Sequence, residues 1–195
     1  DEDTAKLMDT AVEKFGQINI CIPSAGVIKD SLMISPDKET GKVKRVMATD
    51  AFKFVIDVNL VGSFITIREA AQRMVDGGWD GVLIPISSVN KAGAPGQLNY
   101  ASTKAAVALW PKILVGEFQM KKIKNIRVVS IAPGYVGTPM VKGMNQKALE
   151  GVLAGVHLGR LIEPEEISDL VMHVCTNEAI DGACLEITAG CMTGN

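Results

Sequence analysis

Four short, strongly apolar runs punctuate the chain: Ile18 to Ile22, Val82 to Ile86, Ile126 to Ile131 and Ala183 to Thr188. Each is too short for a packed helix and is followed by small or turn-forming residues, so each reads as a buried strand. Between them lie stretches at helical spacing. Asp3 to Phe15 carries Ala5, Leu7, Met8, Ala11, Val12 and Phe15 on that pattern, and Gly16 stops it. Thr49-Asp50 caps a second helix that runs to about Asp76, with Phe52, Val55, Ile56, Leu60, Phe64 and Ile67 on its stripe. Strands that alternate with helices predict an α/β fold, a parallel sheet built through right-handed crossovers.

With 195 residues, one domain with a real core is expected over residues 1–195. The net charge of -2 offers no basic surplus for nucleic acid or an anionic membrane. No apolar run reaches the roughly eighteen residues of a membrane span, and the opening residues DEDTAKLMD are charged; a cytoplasmic protein is expected. Cys21, Cys175, Cys184 and Cys191 stand singly, and neither His157 nor His173 completes a ligand pattern. Free thiols and no metal site are therefore expected. Lys29 to Asp50, with DKETGKVKR at its centre, reads as a solvated loop or hairpin.

Chemistry concentrates between Gly81 and Ala106, in GVLIPISSVNKAGAPGQLNYASTKAA. A strand ends in Ser87-Ser88, a Gly/Pro loop follows, and Tyr100 to Ala108 reads as helix. Tyr100 and Lys104 are four residues apart and share one helix face, so an ammonium can lie beside the phenol. A free tyrosine, with a pKa of about 10, is a poor base at neutral pH, and a neighbouring cation favours its phenolate. Ser88, at the strand end, can hydrogen-bond a carbonyl or alkoxide oxygen at the same point. Together the three side chains can move a proton to or from a substrate oxygen. A Y-x-x-x-K pair alone occurs on many helices. The serines twelve residues upstream are what distinguish this one from a solvated face.

This segment closely resembles the active-site region of the short-chain dehydrogenase/reductases, whose I-S-S strand end is followed about a dozen residues later by Y-x-A-S-K. Here the matching residues are Ile86-Ser87-Ser88 and Tyr100-Ala101-Ser102-Thr103-Lys104. Asp57-Val58-Asn59-Leu60, with Gly62 and Phe64, resembles the family's V-N-L-x-G, whose asparagine kinks its helix and holds a proton-relaying water. Pro23-Ser24-Ala25-Gly26 stands where the family has N-N-A-G beside the cofactor adenosine; Ala25 and Gly26 match, and Pro23 and Ser24 replace the asparagines. Ala132 to Met140 resembles P-G-x-V-x-T-x-M, the loop that meets the nicotinamide carboxamide, and Met140 to Leu158 follows where the family places a substrate lid. Arg160 to Ile167 resembles the R-x-x-x-P-E-E-I that opens the last helix, and Pro164 with acids behind it is a good helix start on physical grounds as well.

The resemblance implies a Rossmann-like doubly wound parallel sheet and an NAD(P)-dependent oxidoreductase that interconverts a secondary alcohol and a ketone. It assigns catalysis to Asn59, Ser88, Tyr100 and Lys104. It assigns cofactor binding to Ser24, Ala25, Gly26, Tyr100, Lys104, Pro133, Gly134, Val136 and Thr138, without distinguishing NAD from NADP. The segment GVIKDSLM is similar to that of 3-oxoacyl-acyl-carrier-protein reductases, which points to 3-oxoacyl or similar carbonyl substrates. Family members assemble through their two long helices, so a homo-oligomer, a dimer or tetramer, is implied. The family's glycine-rich G-x-x-x-G-x-G turn has no counterpart in the sequence, and the first strand matches the family's fourth. On this reading three strands are lacking and the chain is part of a longer protein. A non-catalytic dinucleotide-binding or oligomerising member, or an inactive truncated fragment, is the alternative. A sugar-nucleotide epimerase would want a larger C-terminal region. One local departure is physical: Pro111 lies about three turns into the Tyr100 helix, where it strips the Val107 carbonyl of its donor, at a cost of roughly 3 kcal/mol or a kink.

Overall fold

This computed structural model describes residues 1–143 and 145–191. Helix α1 (Glu2–Phe15) ends at Gly16 with φ 82°, a left-handed turn that glycine adopts without steric cost, and the chain enters β1 (Ile20–Cys21). The polar stretch resolves into the hairpin of the two expected forms, β2 (Ile34–Pro36) antiparallel to β3 (Val43–Val46). Where one long helix was expected there are three pieces: α2 (Thr49–Ile56), a π-helical turn (Asp57–Gly62) and α3 (Ser63–Gly77). Then follow β4 (Gly81–Leu83), α4 (Leu98–Lys121), β5 (Ile126–Pro133), α5 (Pro139–Lys142), α6 (Gln146–Ala154), α7 (Pro164–Thr176) and β6 (Ala183–Ile187). The region expected to form a lid is thus two short helices, and its Met144 lies outside the described residues.

Among the described residues the sheet has four strands in the order β1-β4-β5-β6, and each pairing is parallel. Its central strand β5 shows why the runs are apolar throughout. Ile126 and Val128 face a core built with Met8 of α1, Ile67, Ala70 and Met74 of α3, and Trp110, Leu114 and Phe118 of α4. Val129 and Ile131 face a second core with Leu170, Val171 and Val174 of α7. A strand covered by helices on both faces has no solvent side to make polar. At the edge, among the described residues, β1 pairs through Ile20 and Cys21 with β4 alone, shorter than the five-residue strand expected, and Ile20 is 49% exposed.

Helix α4 runs unbroken through Pro111. The carbonyl of Val107, deprived of its helical donor, accepts a hydrogen bond from the buried Ser130 hydroxyl of β5 at 2.9 Å. The polar deficit is met by the strand beneath, so the buried carbonyl need not turn to solvent. A second hydroxyl does similar work one turn earlier, where Ser87 Oγ donates to the Lys104 carbonyl at 2.7 Å. These two bonds fasten the helix that carries Tyr100 and Lys104 to the sheet.

Candidate active site

The loops leaving β1, β4 and β5 and the first turns of α4 enclose a cavity of about 380 Å³. It opens at the carboxyl ends of the strands, the place where open α/β sheets bind ligands. A larger groove of about 600 Å³ lies at their amino ends, beside Asn19, Gly81 and Asn125. Its guanidinium is already committed, because Arg127 donates to the carbonyls of Val174, Cys175, Asn177 and Ile180 at the end of α7. The smaller cavity holds the chemistry.

Ser88, Tyr100 and Lys104 all line it. Ser88 Oγ accepts from the backbone N–H of Asn90 at 3.2 Å, and the Ser88 side chain acts on Tyr100 in the direction that favours its ionised form. Lys104 Nζ donates to the Ile86 carbonyl at 2.8 Å and stands 5.5 Å from the centre of the Tyr100 ring. The i, i+4 spacing does bring the ammonium to the phenol. Burial nevertheless dominates both titrations. It holds the Tyr100 pKa above the ordinary phenol value, with Ser88 pulling the other way and the charge of Asp30 adding to the rise. It pushes Lys104 down to about 8, and the side chain is only 6% exposed. At neutral pH Lys104 still carries its proton in most molecules, so a cation is present where a phenolate would form.

Asn59 lies behind this wall and does not line the cavity. It sits in the π-helical turn, where a locally widened helix frees the backbone from the regular ladder. Its amide takes both polar groups of one residue: Oδ1 accepts from Val27 N at 2.8 Å and Nδ2 donates to Val27 O at 3.0 Å. Its own carbonyl accepts from Ser63 Oγ at 2.8 Å. The side chain therefore sets the path of the Gly26–Ile28 segment along the cavity. A side chain added at Gly26 would stand 3.6 Å from Asn59 Oδ1 and 3.9 Å from Lys104 Nζ, filling the space beside the lysine.

The remaining wall comes from the loop after β5. Pro133, Gly134, Val136 and Thr138 line the cavity, as does Ser24. Any side chain at Gly134 would crowd the neighbouring backbone, since a Cβ there would lie 3.0 Å from both Cα and O of Thr188. Backbone bonds hold the loop, among them Gly134 N to Ile187 O at 2.9 Å, Gly137 N to Ile162 O at 2.8 Å and Ile162 N to Tyr135 O at 2.9 Å. Ala25 is exposed and lies outside the lining; in the P-S-A-G bend only Ser24 and Gly26 face the cavity. These residues fit the nicotinamide end of a dinucleotide: a slot kept open by glycine, a lysine with spare donors and the Thr138 hydroxyl. Three contributors went unforeseen, namely the Ile86 carbonyl that seats Lys104 and the amides of Asn90 and Gln97. Gln97 stands one turn before Tyr100, which was the available signal; the carbonyl carries no sequence signature.

A four-stranded parallel sheet flanked by helices, with Ser88, Tyr100 and Lys104 around a cavity at the carboxyl ends of its strands, defines an α/β protein of the Rossmann-like kind. The profile described as enoyl-(acyl carrier protein) reductase matches residues 1–191. The chain is 31% identical to the 3-oxoacyl-[acyl-carrier-protein] reductase of Thermotoga maritima, over 97% of this chain and 73% of that protein. It is 34% identical to the protein of the same name from Chlamydia muridarum, over 94% and 71%. It is 33% identical to the (3R)-3-hydroxyacyl-CoA dehydrogenase of Canis lupus familiaris, over 88% and 62%. The chain belongs to the short-chain dehydrogenase/reductase family, a family of oxidoreductases.

Proposed function

We propose that this protein interconverts a secondary alcohol and a ketone with NAD or NADP as partner, on 3-oxoacyl thioesters or similar uncharged carbonyl compounds. The observation that supports it most directly is that Ser88, Tyr100 and Lys104 line one cavity, with Lys104 Nζ 5.5 Å from the centre of the phenol ring. A bound nicotinamide dinucleotide would supply the redox chemistry by exchanging hydride with the substrate carbon. The Tyr100 hydroxyl gives or takes the proton at the substrate oxygen, while Ser88 donates a hydrogen bond that orients that oxygen. Lys104 offsets the cost of a buried phenolate by its charge, and its N–H groups not used by Ile86 are free to hold the nicotinamide ribose. Val136 and Thr138 would receive the carboxamide. Asn59 keeps the Val27 segment in place, and its carbonyl, with one lone pair taken by Ser63, has a second for a relaying water.

The relatives' names supply the acyl substrate class, and the apolar Val27, Ile28 and Val141 in the lining suit it. We assign a homo-oligomer to the groove of about 560 Å³ between α3 and α4, flanked by Phe64, Val75 and Ile113, which are 51%, 43% and 45% exposed. A cytoplasmic setting belongs to the same reading; all four cysteines are free thiols, and burial pushes that of Cys21 up to about 11. Among the described residues no helix is long and apolar enough to cross a membrane.

The test is loss of the reduced cofactor's near-ultraviolet absorbance with a 3-oxoacyl thioester. Tyr100→Phe is expected to lower kcat by at least about a hundredfold, the lower bound for a positioned proton donor. A Tyr100→Phe protein as active as the parent, or a parent that reduces no ketone, overturns the reading and leaves a non-catalytic binding protein in its place.

A further inference from the structure

Beside the reacting groups, three successive residues of the segment after β1 are fastened to the loop before α4 and to its first turn. Asn99 Nδ2 donates to the Lys29 carbonyl at 3.0 Å, Gln97 Nε2 donates to Asp30 Oδ2 at 2.9 Å, and Ser31 N donates to the Gly96 carbonyl at 2.8 Å. Backbone bonds on either side thus hold the Asp30 carboxylate in place. The Gln97 oxygen in turn accepts from Asn90 Nδ2 at 2.8 Å, and Asn90 donates its backbone N–H to Ser88 Oγ. A string of polar groups runs from Asp30 through Gln97 and Asn90 to Ser88. Gln97 and Asn90 line the cavity on the way.

A carboxylate only accepts hydrogen bonds, so Asp30 dictates the direction of the string. Gln97 must turn its NH₂ to Asp30 and its oxygen to Asn90, and Asn90 must use its NH₂ on Gln97. The Asn90 side-chain oxygen is left without a partner among the described residues. Asp30 itself is exposed and stands outside the lining, so this side of the cavity presents an open acceptor with a negative charge held just behind it. Of the neighbouring cations, Lys91 is paired with Glu186 at 2.6 Å, whereas Lys104 keeps its charge on the inner wall, where it donates to the neutral Ile86 carbonyl.

We propose that Asp30, acting through Gln97 and Asn90, is a specificity-determining residue that favours uncharged carbonyl substrates over those bearing a carboxylate next to the reacting ketone. The inference rests on the oxidoreductase reading above and narrows it. Asp30 also acts on Tyr100: after burial, its charge is a further influence against the phenolate, so its field reaches the reacting oxygen. A substrate anion bound at that oxygen meets the same repulsion, set against the attraction of Lys104, so removing the Asp30 charge shifts the balance in its favour.

The test compares acetoacetate with its uncharged ethyl ester as ketone substrates of the full-length protein, with reduced nicotinamide cofactor, at low and high salt. Asp30→Asn keeps an oxygen that can accept from Gln97 and removes the charge. It is expected to raise kcat/KM for acetoacetate relative to the ester by about three- to tenfold at low salt, with the gain shrinking as salt screens the charge. Asp30→Ala removes the acceptor too and is expected to raise KM for the ester more than it lowers kcat, because Gln97 is then unpinned. A parent that reduces both compounds with a ratio unmoved by Asp30→Asn overturns this inference alone. A parent that reduces neither overturns the oxidoreductase reading and this inference with it.

Discussion

Replacing Lys104 by methionine should change how stability depends on pH, in a manner set by the burial of its ammonium. Lys104 falls from its ordinary 10.5 to about 8 in the folded protein, which means that folding works against the charged form. The unfolded chain binds more protons at this site between those two values, so the lysine's contribution to stability rises with pH across that window. Below about pH 8 the burial penalty is present in full, and a shift of this size corresponds to about 3 kcal/mol. Lys104→Met removes the penalty and leaves the Ile86 carbonyl short of a donor, a cost of about 1–3 kcal/mol that does not depend on pH. The absolute change near neutrality is thus a small difference, whereas its pH dependence is clean. Urea unfolding of both proteins from neutrality to about pH 10 should show the parent gaining about 2–3 kcal/mol on the variant. Tyr100, whose pKa is raised, has the opposite sign and acts above pH 10, outside the range compared. A flat difference across the range would refute the claim that Lys104 is held as a costly buried cation. The same variant should be inactive in ketone reduction, so that stability near neutrality and activity part company.

Two other perturbations address what positions the site. Ser130→Ala should destabilise the protein by about 1–3 kcal/mol, since it orphans the Val107 carbonyl in the core. In a Pro111→Ala background the helix supplies its own donor, and the same change should cost about 1 kcal/mol or less; additive free energies in a double-mutant cycle would contradict the compensation. Gly134→Ala forces a Cβ to 3.0 Å from the Thr188 backbone and should lower stability by about 1–3 kcal/mol in denaturant while weakening cofactor binding more than it alters the secondary-structure spectrum. At the start of α7, Glu166 is held down to about 2, first by its hydrogen bond from Arg160 and then by the Glu163 backbone N–H. Its contribution is therefore present above the ordinary carboxylate value and disappears as pH falls toward about 2, and Glu166→Gln should flatten the acid limb of the stability profile; an unchanged limb would remove Glu166 from the account.

Much of this was legible because period and punctuation are local properties. The apolar runs announced β4, β5 and β6, the Pro164 start of α7 lies where its acids require, and the Tyr100–Lys104 spacing brought cation and phenol together on one face. The motif residues Ser24, Gly26, Ser88, Pro133, Gly134, Val136 and Thr138 share one cavity, whereas Ala25 points elsewhere and Asn59 stands behind the wall. The π-helical turn was not legible: Asn59 in a helical pattern looks like an ordinary middling helix residue until Val27, thirty-two positions away in sequence, takes both ends of its amide.

From composition, spacing and turn residues alone came the α/β class, the strands buried on both faces and the pairing of Tyr100 with Lys104, since each depends on neighbours within a few positions. Only the packed structure decided that Ser130 makes Pro111 tolerable, that the Ile86 carbonyl seats the lysine, and that Asp30 governs the amides beside Ser88. Those outcomes join groups far apart in the chain, and whether a buried donor meets an acceptor is settled by how the layers lie against one another.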